Sequence, residues 1–175
     1  MRSVETLLLL SVLCLLGACA RQTPGPETQS AASPGSEKRV TSVGVVNATP
    51  QPAEVNAGGM TEVKVKLKIQ TGYHVNANPP TFPYLKATEL DLPAGDGIST
   101  AFVYYPTPVT KKFAFADKPL AVYEGETEIK ATIKADKAAS KGERSIAAQL
   151  RVQACDDQVC YPPGQIELRI PVTVK

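Results

Sequence analysis

Two cysteines, Cys155 and Cys160, are the residues whose type and spacing best suit covalent chemistry in this chain. Four residues separate them, and a segment of alternating apolar and polar residues lies on each side. This pattern predicts two strands joined by a tight hairpin with facing thiols. Directly opposed Cβ atoms lie about 4.5–5.5 Å apart, and a disulfide needs about 4 Å. The pair is therefore either a structural staple or a couple for thiol–disulfide exchange.

A structural staple at this position would stabilise the folded domain only slightly. Closing a loop of about six residues contributes roughly 2 kcal/mol in the chain-entropy model, and the hairpin turn already restrains the two ends. The segment 40–175 is long enough to bury about two-thirds of its unfolded-chain surface without a cross-link. These considerations favour exchange with another protein's thiol. A non-enzymatic protein-binding lipoprotein with a purely structural disulfide remains the alternative.

The residues around the pair predict a thiol that is not self-activated. Asp156 and Asp157 disfavour a nearby thiolate by charge, and the apolar neighbours Val159 and Tyr161 disfavour it by low polarity. Strand parity places Cys155 on the outward-facing side of its strand. We therefore expect an accessible disulfide that a partner's thiolate must attack.

Metal, cofactor and nucleic-acid chemistry find little support in the sequence. Structural zinc needs four ligands and blue copper needs two His and a Cys, whereas His74 is the single histidine. There is no C-x-x-C motif, no haem-attachment motif and no phosphate loop. A net charge of +2 without clustered Lys and Arg gives no nucleic-acid footprint. We expect no cofactor, no metal and no nucleic-acid partner.

The N-terminal residues predict export. Arg2 precedes the apolar run Leu7–Leu16, which is too short to span a bilayer but has the length of a secretory core. The run ends in Leu16-Gly17-Ala18-Cys19, which resembles a bacterial lipobox. That resemblance implies a signal peptide over residues 1–18 and a lipid, diacylglyceryl and palmitate, on Cys19. An ordinary signal peptide cut near Ala18 or Ala20 is the alternative.

Lipidation would leave a tethered protein facing the periplasm. Residues 19–39 are rich in Pro, Gly, Ser and Thr, and we interpret them as a flexible tether with a reach of about 25 Å. Ala20 is not the Asp that resembles an inner-membrane retention signal, so the outer membrane is favoured and the inner membrane stays possible. Cleavage and lipidation also leave Cys155 and Cys160 as the free pair, which an exported compartment oxidises.

The segment 40–175 predicts an all-β domain. A period of two is clearest in Met60–Gln70, Glu126–Ala135, Ser145–Ala154 and Gln165–Val174. Shorter strand candidates are Val43–Val46, Tyr84–Leu92, Ile98–Tyr105, Lys111–Ala116 and Pro119–Tyr123. The prolines and asparagines of Tyr73–Pro80 predict irregular structure there. About eight short strands at this spacing indicate an antiparallel β-sandwich.

Two motifs carry a family resemblance. Gly72–Pro80, GYHVNANPP, and Gln153–Pro163, QACDDQVCYPP, resemble the N-terminal periplasmic domain of the thiol:disulfide interchange protein DsbD. The resemblance covers most of residues 40–175 and implies an immunoglobulin-like β-sandwich. It also implies a relay, in which a thioredoxin-like protein reduces the cysteine pair and the pair reduces periplasmic oxidoreductases, such as disulfide isomerases.

The same resemblance assigns roles to residues. Cys160 would form the mixed disulfide and Cys155 would resolve it. The family shields its cysteines with an aromatic cap loop, for which Tyr104-Tyr105-Pro106 is the candidate here, supported by Tyr161 and His74.

The inter-cysteine segment is shorter than in the best-known DsbD. No membrane domain or thioredoxin-like domain follows, so we expect donor and acceptor to be separate proteins. Whether the chain is a protein-disulfide reductase component or no enzyme stays open.

Overall fold

The computed structural model describes residues 39–175, which form twelve β-strands and one short 3-10 turn, Val43–Val45. The predicted all-β, immunoglobulin-like sandwich is confirmed. No helix in this part of the chain is long and apolar enough to cross a membrane. The predicted signal peptide, Cys19 and nearly all of the predicted tether lie outside the described residues.

The strands form three four-stranded sheets. In chain order they are β1 Val46–Pro50, β2 Ala53–Val55, β3 Met60–Ile69, β4 His74–Asn76, β5 Glu89–Asp91, β6 Ile98–Tyr104, β7 Val109–Lys111, β8 Leu120–Tyr123, β9 Glu126–Ala135, β10 Gly142–Val152, β11 Ala154–Cys155 and β12 Gly164–Val174. The first sheet has the order β1-β3-β9-β6, the second β2-β12-β10-β5 and the third β11-β4-β8-β7. The pairing of β2 with β12 is parallel, and the other strand pairs are antiparallel.

The main core lies between the first and second sheets. Alternate residues of β3 and β9 face inward and are almost fully buried, and those of β10 and β12 meet them from the other side. Each fully buried Val, Leu or Ile side chain contributes roughly 1.5–3 kcal/mol of transfer free energy. The alternation of apolar and polar residues in the sequence arises because one face of each long strand covers this core and the other face is more exposed.

The third sheet has a smaller apolar cluster of its own. Leu85, Phe113, Leu120 and Val122 form its buried centre. Cys160 packs against this cluster together with Phe82 and Ala116. The candidate redox pair therefore lies on the third sheet, where Cys160 contacts the smaller cluster while Ala154, next to Cys155, belongs to the main core.

Several short elements differ from the sequence predictions. His74–Asn76 forms β4, although irregular structure was predicted, because both prolines lie beyond the paired residues. Strand β1 starts at Val46 and continues through the predicted turn to Pro50. Of the predicted strand Tyr84–Leu92 only Glu89–Asp91 is paired. Such short strands depend on a partner strand more than on their own residue pattern.

Candidate redox site

Cys155 and Cys160 form a disulfide across a tight hairpin. Their Cα atoms lie 3.9 Å apart, and the two residues face each other as an antiparallel bridge. The amide of Tyr161 donates to the carbonyl oxygen of Ala154 at 2.8 Å, and the amide of Asp156 donates to that of Val159 at 3.0 Å. The hairpin predicted from the cysteine spacing is therefore present.

Asp156 holds the turn of this hairpin. Its Oδ1 accepts hydrogen bonds from the amides of Gln158 at 2.7 Å and Val159 at 2.8 Å. Its Oδ2 accepts the hydroxyl proton of Tyr161 at 2.5 Å. The Tyr161 hydroxyl, followed by the Gln158 amide, lowers the pKa of the Asp156 carboxyl, and the same contact raises the pKa of Tyr161 to about 12. Asp156 is thus a turn residue as well as a negative charge beside the disulfide.

The two sulfurs differ in accessibility. Cys155 is 0 % exposed, whereas Cys160 is half-buried at the edge of the smaller apolar cluster. The predicted outward orientation of Cys155 is wrong. Strand β10 ends at Val152, Gln153 interrupts the ladder, and β11 leaves the second sheet to pair with β4 in the third. This break removes the parity on which the prediction depended.

Gln153 connects the hairpin to its surroundings. Its Oε1 accepts from the amide of Lys86 at 2.7 Å and from Nδ2 of Asn76 at 3.0 Å. Its Nε2 donates to the carbonyl oxygen of Tyr161 at 3.3 Å. One side chain therefore joins β4, the loop before β5 and the second limb of the hairpin.

Ser42 supports the hairpin from the start of the domain. Its buried hydroxyl donates to the carbonyl oxygen of Pro162 at 2.7 Å and accepts from the amide of Ala154 at 2.9 Å. Ser42 and Ala154 are 112 positions apart, and no local pattern indicates this contact. Both limbs of the hairpin are thus held by a hydrogen bond to one hydroxyl.

His74 lies directly opposite Cys155 in the pairing of β4 with β11. It is 1 % exposed, and its ring stacks on Phe113 with centroids 4.1 Å apart. Burial, with a smaller contribution from Lys111, lowers the pKa of His74 to about 4. The imidazole is therefore neutral near pH 7. The structure brings His74 to the cysteine pair, and Tyr161 joins the same hairpin through Asp156.

An apolar cavity of about 300 Å³ adjoins Cys160. Its aromatic lining comes from Tyr84 and Phe115, which are 70 % and 40 % exposed. The predicted cap residues lie elsewhere. Tyr104 is exposed on β6 of the first sheet, and the hydroxyl of Tyr105 accepts from the amide of Leu90 at 3.1 Å. Neither lines this cavity, because β6 pairs with β9 in the first sheet, whereas Cys160 packs against the apolar cluster of the third sheet.

Within residues 39–175, no group of three or more His, Cys, Asp or Glu side chains could hold a metal ion. What the site offers instead is a buried sulfur joined to an accessible one, next to a neutral imidazole. This is the arrangement of a β-sandwich domain whose disulfide is accessible at one of its two sulfurs.

The chain matches the family described as the N-terminal part of the thiol:disulfide interchange protein DsbD over residues 45–170. It therefore belongs to this family of DsbD N-terminal domains, as the two sequence motifs predicted. The family takes its description from a thiol:disulfide interchange protein, and membership fits an exported domain. No curated protein matches the chain.

Among solved structures, the chain resembles the N-terminal periplasmic domain of ScsB from Proteus mirabilis, with a TM-score of 0.50 and 16 % identity. The match covers 71 % of this chain and 44 % of that chain, so less than half of the ScsB chain has a counterpart here. At this identity the likeness supports the fold alone.

Two further structures match more weakly. A family 123 glycoside hydrolase from Clostridium perfringens gives a TM-score of 0.31 at 11 % identity, covering 74 % of this chain and 27 % of that one. AggA, the major subunit of aggregative adherence fimbriae type I from Escherichia coli, gives 0.32 at 13 %, covering 74 % and 94 %. TM-scores this low carry no argument about function.

Proposed function

We propose that this protein relays reducing equivalents by thiol–disulfide exchange through Cys155 and Cys160. A separate thioredoxin-like protein would reduce the pair, and the dithiol would then reduce exported oxidoreductases. The unequal exposure of the two sulfurs is the observation that carries the proposal. A partner's thiolate can reach half-buried Cys160, whereas Cys155 is covered completely.

The exchange balances as two successive displacements. The donor thiolate attacks Sγ of Cys160, the Cys155–Cys160 bond breaks, and its electron pair leaves on Cys155. The donor's second thiol, after loss of its proton, attacks the mixed disulfide and releases Cys160. The donor is oxidised to a disulfide and the pair is reduced to a dithiol by two electrons and two protons. Delivery to an acceptor disulfide runs the same steps in reverse, beginning with attack by Cys160.

The cavity beside Cys160 supports contact with a partner. Tyr84, Phe115 and Val159 expose apolar surface around the accessible sulfur. Aromatic side chains grouped around a small pocket are typical of protein interfaces. We assign to Tyr84 and Phe115 the shielding role that the family resemblance assigned to Tyr104 and Tyr105.

Hydrogen bonds hold the hairpin in addition to its disulfide. Asp156 fixes the turn, Ser42 holds both limbs, and Gln153 joins the hairpin to β4. A staple across ends that are already restrained gains little entropy. This favours exchange over the purely structural disulfide of a protein-binding lipoprotein.

Trapping with single-cysteine variants tests the proposal. In Cys155→Ser, the remaining Cys160 should attack a partner's disulfide and stay attached, because the resolving thiol is missing. The matched control Cys160→Ser leaves the buried Cys155, which should trap at least tenfold less. The measurement is the yield of mixed disulfide after incubation with an oxidised thioredoxin-like protein. Equal yields from both variants, or none from either, would contradict the proposed role of Cys160.

We further propose that a lipid on Cys19 anchors the mature chain after removal of residues 1–18. The lipobox-like Leu16-Gly17-Ala18-Cys19 supports this, and Ala20 favours the outer membrane. Replacing Cys19 with Ala should move the protein from the membrane fraction to the soluble fraction of the periplasm. A Cys14→Ala control, which changes a cysteine inside the predicted signal peptide, should leave the distribution unaltered. Membrane association that survives Cys19→Ala would refute this anchor.

A further inference from the structure

We propose that His74 stabilises the thiolate that leaves on Cys155 when the disulfide opens. This inference rests on the proposed exchange function and adds a residue to it. Cys155 is fully buried, so a negative charge on its sulfur has little access to water. A hydrogen-bond donor close to that sulfur would lower this cost and make Cys155 a better leaving group.

The strand pairing places His74 at the required position. His74 and Cys155 are direct partners in the antiparallel ladder of β4 and β11. Directly opposed residues of such a ladder project to the same side of the sheet, with Cβ atoms about 4.5–5.5 Å apart. The ring stacks on Phe113, and Phe113 belongs to the cluster against which Cys160 packs. The imidazole and the disulfide therefore share one face of the third sheet.

The imidazole has an unused nitrogen. Nε2 of His74 is buried and has no hydrogen-bond partner among the described residues. A buried polar atom without a partner is costly, and a protein rarely keeps one without a reason. Opening the disulfide would create an acceptor at Cys155 that is absent while the two sulfurs are bonded. A hydrogen bond from Nε2 to the Cys155 sulfur that forms only when the disulfide is open would explain why Nε2 has no partner in the disulfide form.

Burial keeps the imidazole neutral in the disulfide form, and the charged groups around the ring act in opposite directions. Lys111 on β7 adds to the effect of burial, while Asp157 and Asp156 of the hairpin turn and Glu124 after β8 oppose it. Lys111 contacts Glu124 at 3.3 Å and Asp157 at 4.0 Å, so these charges partly compensate one another. A neutral imidazole keeps its N–H proton throughout, and the thiolate on Cys155 is later protonated by the proton that the donor's second thiol releases.

The thiol pKa of Cys155 tests this inference directly. In a Cys160→Ser background, thiolate absorbance gives that pKa without interference from the second thiol. His74→Phe keeps a ring that can stack on Phe113 but removes the donor, and it should raise the Cys155 pKa by about one unit. His74→Gln retains an N–H donor and should restore part of the shift. Val75→Ala is the matched control, because Val75 is buried on the same strand but pairs with Ala154.

The imidazole itself provides a second readout. His74 is the single histidine, so its ring gives an unambiguous NMR signal. In the Cys160→Ser protein this signal should shift at the pH where Cys155 titrates, and in the disulfide form it should not. An unchanged Cys155 pKa in His74→Phe, or an imidazole signal that ignores that titration, would overturn the inference. Neither result would affect mixed-disulfide trapping by the Cys155→Ser variant. The role of His74 can therefore be disproved without disproving exchange through Cys160.

Discussion

Asp156 fixes the turn between the two cysteines and also places a negative charge beside the disulfide. From the sequence, the charge of Asp156, like that of Asp157, predicts only that a nearby thiolate is disfavoured. The structure adds that its carboxylate accepts from two backbone amides and from Tyr161. An Asp at the start of a four-residue turn is a known signal for this arrangement. Gln153 and Ser42 carry no comparable local signal, because their partners are distant in the chain.

Asp156→Ala should loosen the hairpin without unfolding the domain. The variant loses the acceptor of two turn amides, and we expect a loss of about 1 kcal/mol in the free energy of unfolding. Urea unfolding at neutral pH measures this loss. Asp157→Ala is the matched control, because its carboxylate is 78 % exposed and makes one long ion pair, so a change within about 0.5 kcal/mol is expected.

The Asp156 contribution should also depend on pH in one direction. The folded state lowers the pKa of this carboxyl below its ordinary value of 3.8. Its stabilisation is therefore complete above pH 3.8 and is lost as the pH falls through the lower folded pKa. The difference between wild type and Asp156→Ala should shrink in that acidic range. A difference that grows on acidification would contradict the assignment.

At the scale of elements, the site depends on how short segments meet. The turn Val43–Val45 lies against the start of β12, and a Cβ built on Gly164 would approach Cγ1 of Val43 to 2.6 Å. This contact holds the N-terminal segment, and with it Ser42, close to the hairpin. The glycine at position 164 is therefore required by a close approach of two segments.

Gly164→Ala should cost about 1–3 kcal/mol, because the stiff Val43 side chain has to move. The double variant Val43→Ala/Gly164→Ala should recover at least half of that loss, and a double-mutant cycle of unfolding free energies measures the coupling. Gly95→Ala serves as the control, since a Cβ there meets nothing within 4 Å. Additive effects of the two substitutions on the unfolding free energy would show that the contact between residues 43 and 164 does not cause the destabilisation.

At the scale of the whole molecule, neither cysteine belongs to the main core, although Ala154 next to Cys155 does. The first and second sheets enclose the larger cluster, and Cys160 packs against the smaller one. Opening the disulfide therefore removes no side chain from the main core. Such independence is useful to a protein that alternates between disulfide and dithiol.

Reduction should therefore leave the domain folded. The expected decrease in unfolding free energy is about 2 kcal/mol or less, with an unchanged denaturant m-value. Urea unfolding with and without reductant provides the comparison. The reduction potential should lie above about −300 mV, as for working disulfides. Unfolding on reduction, or a lower potential, would instead favour the structural disulfide.

The sequence by itself determined the long strands and the position of the cysteine pair. A period of two in Met60–Gln70 and Glu126–Ala135 follows directly from burying one strand face, so it predicts β3 and β9 closely. The two motifs Gly72–Pro80 and Gln153–Pro163 identified the family, because the residue types and spacing within each motif are local properties of the chain.

Tertiary structure alone decided which groups surround the disulfide. The two-residue strand β11 changes sheet after Gln153, which buries Cys155 and places His74 opposite it. The same arrangement puts Tyr84 and Phe115 beside Cys160 in place of Tyr104 and Tyr105. A strand this short takes its partner from long-range contacts, and local periodicity contains no information about them.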